Sequence, residues 1–219
     1  SARYHITPEQ RAWWSFQPVR KPAPPAVKNE AWVRTAVDRF LLATLEQNGL
    51  KPVEQASRRV WLRRATYGLT GLPPTPAEME AFLADRSPKA RETVIDRLLA
   101  SPRYGEHWGR YWLDIARYSD DKLNSTQEEP YPNAYRYRNW VVEAFNQDMP
   151  YDRFVLKQLA GGDEHSKTRN NYAPDVQGHV PLGFLRLAPW DRSNLVADEV
   201  RQNYLSEVTS TTSSVFLGL

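Results

Sequence analysis

Apolar residues recur at helical spacing along most of this chain, and prolines, glycines and capping residues mark where each repeat stops. Val37, Phe40, Leu41, Thr44 and Leu45 predict a helix from about Trp32 to Asn48, with Asn48-Gly49 as a left-handed stop. A second helix is expected from about Ser57 to Tyr67, with Val60, Leu62 and Ala65 helping to face a core. Thr75-x-x-Glu78 reads as a capping box before Met79, Phe82 and Leu83. Ser87-Pro88 is expected to open a helix bearing Val94, Ile95, Leu98 and Leu99. Ser101-Pro102 opens a longer one carrying Trp108, Tyr111, Trp112, Asp114, Arg117 and Tyr118, broken at Ser119-Asp120-Asp121. Proline suits the first helical turn because its missing N–H has no partner to lose there.

Beyond a polar loop at 119–133, Tyr137, Trp140, Val141, Ala144 and Phe145 predict a helix over about Ala134–Asn146. Pro150-Tyr151 starts another, through Phe154, Val155 and Leu159, that ends at Gly161-Gly162. A long polar loop at 162–178 and a short apolar stretch, Val180 to Trp190, precede a last helix from about Leu195 to Val208, extending towards Phe216. No segment alternates strictly enough to predict a strand. The fold class is therefore all-α, an irregular multi-helix domain with a proline-rich N-terminal arm.

The arm and linker occupy 1–30 and the helical domain 31–219. Thr7-Pro8-Glu9-Gln10 is a second capping box, opening a short helix towards Trp13-Trp14. Pro18, Pro22, Pro24 and Pro25 make the following stretch an extended linker or strap. Leaving Trp13, Trp14 and Phe16 in water is costly, so the arm is expected to be docked.

Composition narrows the functional classes. With 41% hydrophobic and 25% charged residues, 219 residues suit a globular protein with a real core. No apolar run is long enough to cross a bilayer, and the N-terminus lacks the apolar centre of a signal peptide. Zero cysteines exclude disulfides, thiolate metal sites and a cysteine nucleophile within the chain. A net charge of +3 gives no basis for nucleic-acid binding unless it is concentrated on one face. Arg58, Arg59, Arg63 and Arg64 around Trp61 are the densest basic group, and the solvated side of an amphipathic helix accounts for them. The 8 tryptophans and 11 tyrosines, set among arginines, point to a rigid core with cation–π contacts in preference to a flat-ligand surface.

Several ordered motifs carry a family resemblance. They include Trp14-Ser15-Phe16-Gln17-Pro18, Gly68-Leu69-Thr70-Gly71-Leu72-Pro73-Pro74-Thr75-Pro76 and Asp96-Arg97-Leu98-Leu99-Ala100-Ser101-Pro102-Arg103-Tyr104-Gly105-Glu106. Trp112-Leu113-Asp114-Ile115-Ala116-Arg117-Tyr118-Ser119-Asp120, Tyr137-Arg138-Asn139-Trp140-Val141-Val142 and Gln158-Leu159-Ala160-Gly161 follow in order. Over about residues 12–219 the chain resembles a helical domain of unknown function from multidomain planctomycete cytochrome c-like proteins. In that family the stretch similar to 208–219 runs into Cys-x-x-Cys-His, the attachment signature of a c-type haem. The resemblance thus implies no cofactor within this chain, a c-type haem on the continuing sequence, and a periplasmic or secreted location. It reads the lack of cysteine as the chain stopping short of that motif.

The candidate chemistry centres on a polar cluster of Asp114, Arg117, Asp120 and Asp121, with Arg136 and Arg138 across the loop. Asp114 and Arg117 sit one helical turn apart. An arginine there can hold a haem propionate or an acidic sugar. An ion-pair network tying the aromatic helix to the next one explains the same residues and is preferred. Arg117, Arg138, Trp140 and Phe216 are the haem-shell candidates that follow from the resemblance.

Other acids and histidines give weaker signals. Asp120, Asp121, Glu128 and Glu129 match no calcium-loop spacing, and an exposed acidic loop accounts for them better. His5, His107, His165 and His179 form no metal-ligating pair in sequence, and His107 beside Trp108 is expected to be packed. Asp114 with Asp120, or Asp163 with Glu164, are the conceivable carboxylate pairs for glycoside chemistry. The leading expectation is a helical module of an exported c-type cytochrome-like protein, supporting electron transfer or redox chemistry at a haem beyond Leu219. Its partner is then the C-terminal remainder of the same protein or a cytochrome. A glycan-binding or glycan-degrading domain, with a glycan ligand, is the alternative. A structural domain presenting the Trp13–Pro25 arm to a partner is the third.

Overall fold

A computed structural model describes residues 5–119, 133–161, 176–187 and 197–218. All regular structure among them is helical, and the fold is all-α. The chain divides by packing into two units, Ser1–Gln55 and Ala56–Leu219.

The first unit holds a short helix α1 (Pro8–Arg11), a 3₁₀ turn at Trp14–Phe16, another at Glu30–Trp32, and α2 (Ala36–Gln47). The expected Thr7 capping box is formed: the Gln10 amide donates to Thr7 Oγ1, and the Thr7 amide to Gln10 Oε1. Thr35 and Asp38 make the same reciprocal pair at the start of α2. The Glu46 carboxylate accepts from the Lys28 and Asn29 amides at 3.0–3.1 Å. Arg39 grips Glu30 through two nitrogens.

The helix expected over Trp32–Asn48 is formed as α2, with Leu42 its buried residue and Val37, Phe40 and Leu41 exposed. Within this unit the rings of Trp13, Trp14 and Phe16 are 59%, 78% and 72% exposed.

In the second unit, α3 (Arg58–Thr70), α4 (Pro76–Ala84) and α5 (Ala90–Leu99) enclose one core of Leu62, Phe82, Ala90, Val94 and Leu98. Trp61 stacks on Phe82 with ring centroids 5.2 Å apart. Arg58, expected among the solvated arginines, lies 4.2 Å over the Phe82 ring and donates to the Phe82 and Asp85 carbonyls. It thereby closes the end of α4 onto the start of α3. Arg91 lies over Trp61, giving the expected cation–π contacts a definite place. Thr66 and Thr70 are buried because each hydroxyl donates to the carbonyl four residues back. Gly71 ends α3 at φ +71°, a left-handed conformation that the Leu-Pro-Pro sequence after it does not extend into helix. The α4 capping box is formed by Thr75 and Glu78. The next helix begins at Ala90, later than the Ser87-Pro88 signal suggested.

α6 (Pro102–Ile115) packs most closely on α7 (Ala134–Asn146) and also meets α3. Gly105 permits this closeness: a Cβ there would lie 2.3 Å from the Val142 carbonyl oxygen and 2.6 Å from the Asn146 amide. The gap is filled by a useful contact, since the Gly105 amide donates to Asn146 Oδ1 at 2.8 Å and Asn146 Nδ2 to the Pro102 carbonyl. A 3₁₀ turn at Val180–Leu182 and α10 (Gly183–Arg186) pack on α7 and on α8 (Tyr151–Ala160), and α9 (Val176–His179) packs on that turn. The last helix, α11 (Ala197–Thr212), widens into a π-turn at Ser213–Leu217.

Two tests follow. Gly105→Ala should cost about 2–3 kcal/mol, because the clash is with backbone and α6 must move off α7. Denaturant unfolding of the variant measures this, and an unchanged midpoint would contradict the close approach. The Glu78 carboxyl is held below its ordinary value of 4.5, chiefly by the Thr75 amide, with Arg97 also contributing. A depressed folded-state pKa means the contribution is full above 4.5 and disappears as pH falls through the lower folded value. Glu78→Gln retains the cap but not the charge. Its melting temperature should fall below the parent's at neutral pH by an amount worth under about 1 kcal/mol, since the group is partly solvated. The two melting curves should converge in acid.

Candidate functional site

Trp140 and Phe216 lie in one aromatic core. Leu113 of α6 and Ala116 just past its end, Tyr137 and Val141 of α7, and Phe184 of α10 form its buried centre. Trp112, Tyr118, Trp140, Phe145, Val215 and Phe216 close around them. Helical spacing explains the selection: residues 113 and 116, or 137, 141 and 144, each fall on one face. α8 adds Phe154 and Gln158, one turn apart and both buried.

Ring contacts run continuously through this core. Phe154 is stacked 5.2 Å from Trp140 with planes only 8° apart, and it meets Trp112 edge-on at 4.8 Å. Trp112 also contacts Phe216 at 5.7 Å, and Phe216 contacts Phe184 at 5.2 Å. Tyr137 stacks between Tyr118 and Trp140. These distances match the offset and edge-to-face arrangements that the aromatic quadrupole favours.

Buried among the rings is a polar triad. The Trp112 indole N–H donates to Gln158 Oε1 at 3.0 Å and to the Tyr137 hydroxyl oxygen at 3.1 Å. The Tyr137 hydroxyl donates to Gln158 Oε1 at 2.6 Å. Gln158 Nε2 donates to the Phe154 carbonyl. Gln158 is fully buried, so each of these bonds replaces one that water would otherwise make. Burial pushes the Tyr137 phenol well above its ordinary value, with the Trp112 donor partly opposing the shift. The phenol is therefore a fixed hydrogen-bond donor at any ordinary pH, unsuited to acid–base work near neutrality.

The residues singled out from sequence are placed as follows. Trp140 and Phe216 belong to the aromatic core, their rings engaged by other rings. Arg117 sits just past α6 at φ +59° and pairs with Glu207 of α11 at 2.5 Å, also reaching the Glu207 carbonyl. This ion pair ties the end of the aromatic helix to α11. Asp114 and Arg136 are exposed, and Arg138 is half-buried with its Nε 3.4 Å from Asn139 Oδ1. Asp120, Asp121, Glu128, Glu129, Asp163, Glu164 and His165 lie outside the described residues.

His107 is packed edge-on against Trp108 and Tyr111, as its position suggested. His5 and His179 are exposed. Among the described residues, no three His, Cys, Asp or Glu side chains gather as a metal site. No helix among them is long and apolar enough to cross a membrane.

Sequence reasoning missed Gln158 and Glu207 as structural partners. A signal for Gln158 was present, because it falls on the same face of α8 as Phe154, where a polar side chain must be satisfied internally. Glu207 carried no comparable signal, since its partner lies 90 residues away.

The chain belongs to the family described as PSCyt2, protein of unknown function (DUF1549), which matches residues 36–219. Neither the curated proteins nor the solved structures contain a match.

The triad yields a graded prediction. Tyr137→Phe leaves the Trp112–Gln158 bond intact and should cost about 1 kcal/mol. Gln158→Leu strands the buried Tyr137 hydroxyl proton and leaves the Trp112 N–H only its bond to the Tyr137 oxygen, and should cost about 2–3 kcal/mol despite the added apolar surface. Equilibrium unfolding of both variants measures the order, and an equal or reversed order would contradict it.

Proposed function

We propose that this domain is the helical module of an exported c-type cytochrome-like protein, supporting electron transfer or redox chemistry at a haem carried beyond Leu219. The observation that supports this reading is the seating of the carboxy-terminal turn. Val215 and Phe216 pack into the aromatic core, so whatever follows residue 219 is joined to a rigid support by a short lever. The ordered motifs from Trp14 to Gly161 and the 208–219 stretch add the family resemblance.

The residues themselves do not make a haem pocket. The chain has no cysteine for a thioether. Trp140 and Phe216 are engaged with protein rings, and the Arg117 guanidinium is held by Glu207. In this proposal they act as the support beneath the attachment segment: Phe216 seats the turn, and Arg117 fixes α11 against α6. The haem supplies the electron-carrying chemistry, and this chain's residues fix the position of the segment that bears it.

The test uses the natural full-length gene product. Intact mass and visible absorption should reveal covalently bound haem. Phe216→Ala should destabilise the product by about 2 kcal/mol, below the range for a fully buried ring because Phe216 is half-buried, and shift the haem's reduction potential. A haem-free product would overturn the proposal and favour the glycan alternative. For that reading, the exposed Trp108 and Tyr111 rings on α6 are the aromatic surface to vary.

A further inference from the structure

The N-terminal arm concentrates two properties that the rest of the chain dilutes. The first is charge. Residues 1–29 contain five basic residues (Arg3, Arg11, Arg20, Lys21 and Lys28) and one acid, Glu9. The chain as a whole carries an excess of only three positive charges, so residues 30–219 have no positive excess at all. The second is exposed aromatic surface: Trp13, Trp14 and Phe16 are exposed within four residues of one another, and Ile6 and Val19 flank them. Arg11, Arg20, Lys21 and Lys28 are exposed as well.

Part of the backbone of this tip is satisfied from within. Arg11 and Ala12 donate to the Thr7 and Pro8 carbonyls, and Trp13 donates to that of Gln10. Phe16 donates to the Trp13 carbonyl and Gln17 to that of Trp14. The Gln17 side chain then closes the turn by donating to the Arg11 carbonyl at 2.6 Å. Pro18 follows and has no N–H to offer. A segment built to add a strand to another protein's sheet needs free backbone donors and acceptors. Between Arg11 and Gln17 this tip has spent five amides on itself, which lowers the cost of lying at the polar boundary of a bilayer, where headgroups and water can meet the rest.

We propose that the tip at residues 11–21 is a peripheral attachment site for an anionic lipid bilayer surface. Tryptophan and phenylalanine partition into the boundary between headgroups and acyl chains, where the indole N–H still meets polar groups. Arg11, Arg20 and Lys21 complement the lipid phosphates, and each basic group near an anionic surface adds to the attraction. The proline-rich stretch from Pro18 to Pro25 spaces the tip from α2 without regular structure. The attachment is interfacial and reversible, and differs in kind from a membrane span.

The experiment is co-sedimentation of the 219-residue chain with unilamellar vesicles, either pure phosphatidylcholine or phosphatidylcholine with about 30% phosphatidylglycerol, across a salt series. The expected result is binding at least about tenfold tighter to the anionic vesicles, weakening as salt rises. A Trp13→Ala, Trp14→Ala double variant and an Arg20→Glu, Lys21→Glu double variant should each reduce that binding by about tenfold. Both alter exposed residues, so circular dichroism should be unchanged. No binding to anionic vesicles at about 0.1 M salt would overturn the proposal. So would binding that survives loss of both tryptophans, which marks plain charge adsorption. Equal affinity for soluble polyglutamate would also overturn it, and would assign the tip to an acidic macromolecule.

Discussion

The second unit depends on keeping one amide satisfied. Gln158 carries a polar side chain into a site lined by Trp112, Tyr137, Phe154 and Trp140, where an unpaired group would cost more than most single contacts return. Its oxygen accepts from α6 and α7 together, and its nitrogen donates to its own helix. These bonds hold only when the three helices are in one register, so the triad selects that register as well as stabilising it. The rings around it then have fixed positions, and Phe216 finds a defined surface between Trp112 and Phe184.

Outside this core the structure is held by local devices. Capping boxes at Thr7, Thr35 and Thr75 begin three helices, and proline stands in the first turn of α1, α4 and α6. Arg117 and Asp148 adopt positive φ where glycine would be easier, each just past the end of a long helix. Arg117 has a reason to be there, because its guanidinium takes Glu207 and so draws α11 towards α6. That pair is partly exposed and contributes position more than stability.

Much of this frame was legible in the sequence because helix ends are written locally. Thr75-x-x-Glu78 and Ser101-Pro102 place two helix starts correctly, and the spacing of Tyr137, Val141 and Ala144 gives the buried face of α7. The extent of α2 was legible too, but the burial of Leu42 in place of Val37, Phe40 and Leu41 was not, because spacing identifies an apolar stripe without saying what covers it. Arg58 was read as solvated because a guanidinium over Phe82 depends on the angle between α3 and α4, which no local pattern carries. The candidate site was half legible for the same reason. Trp140 and Phe216 were recognisable as important rings, but their convergence through Phe154 and Trp112 is long-range, as is the pairing of Arg117 with Glu207.

What connects this architecture to the proposed role is mechanical continuity from the buried triad to the carboxy-terminal turn. Native-state hydrogen exchange of the intact chain tests that continuity directly. The Trp112 indole N–H, the α6 to α8 backbone amides and the amides of Val215 and Phe216 should share one opening free energy and lose protection together in denaturant. If Val215 and Phe216 exchange freely while the triad stays protected, the turn is not part of the aromatic core, and the account of how this domain supports a following segment is contradicted.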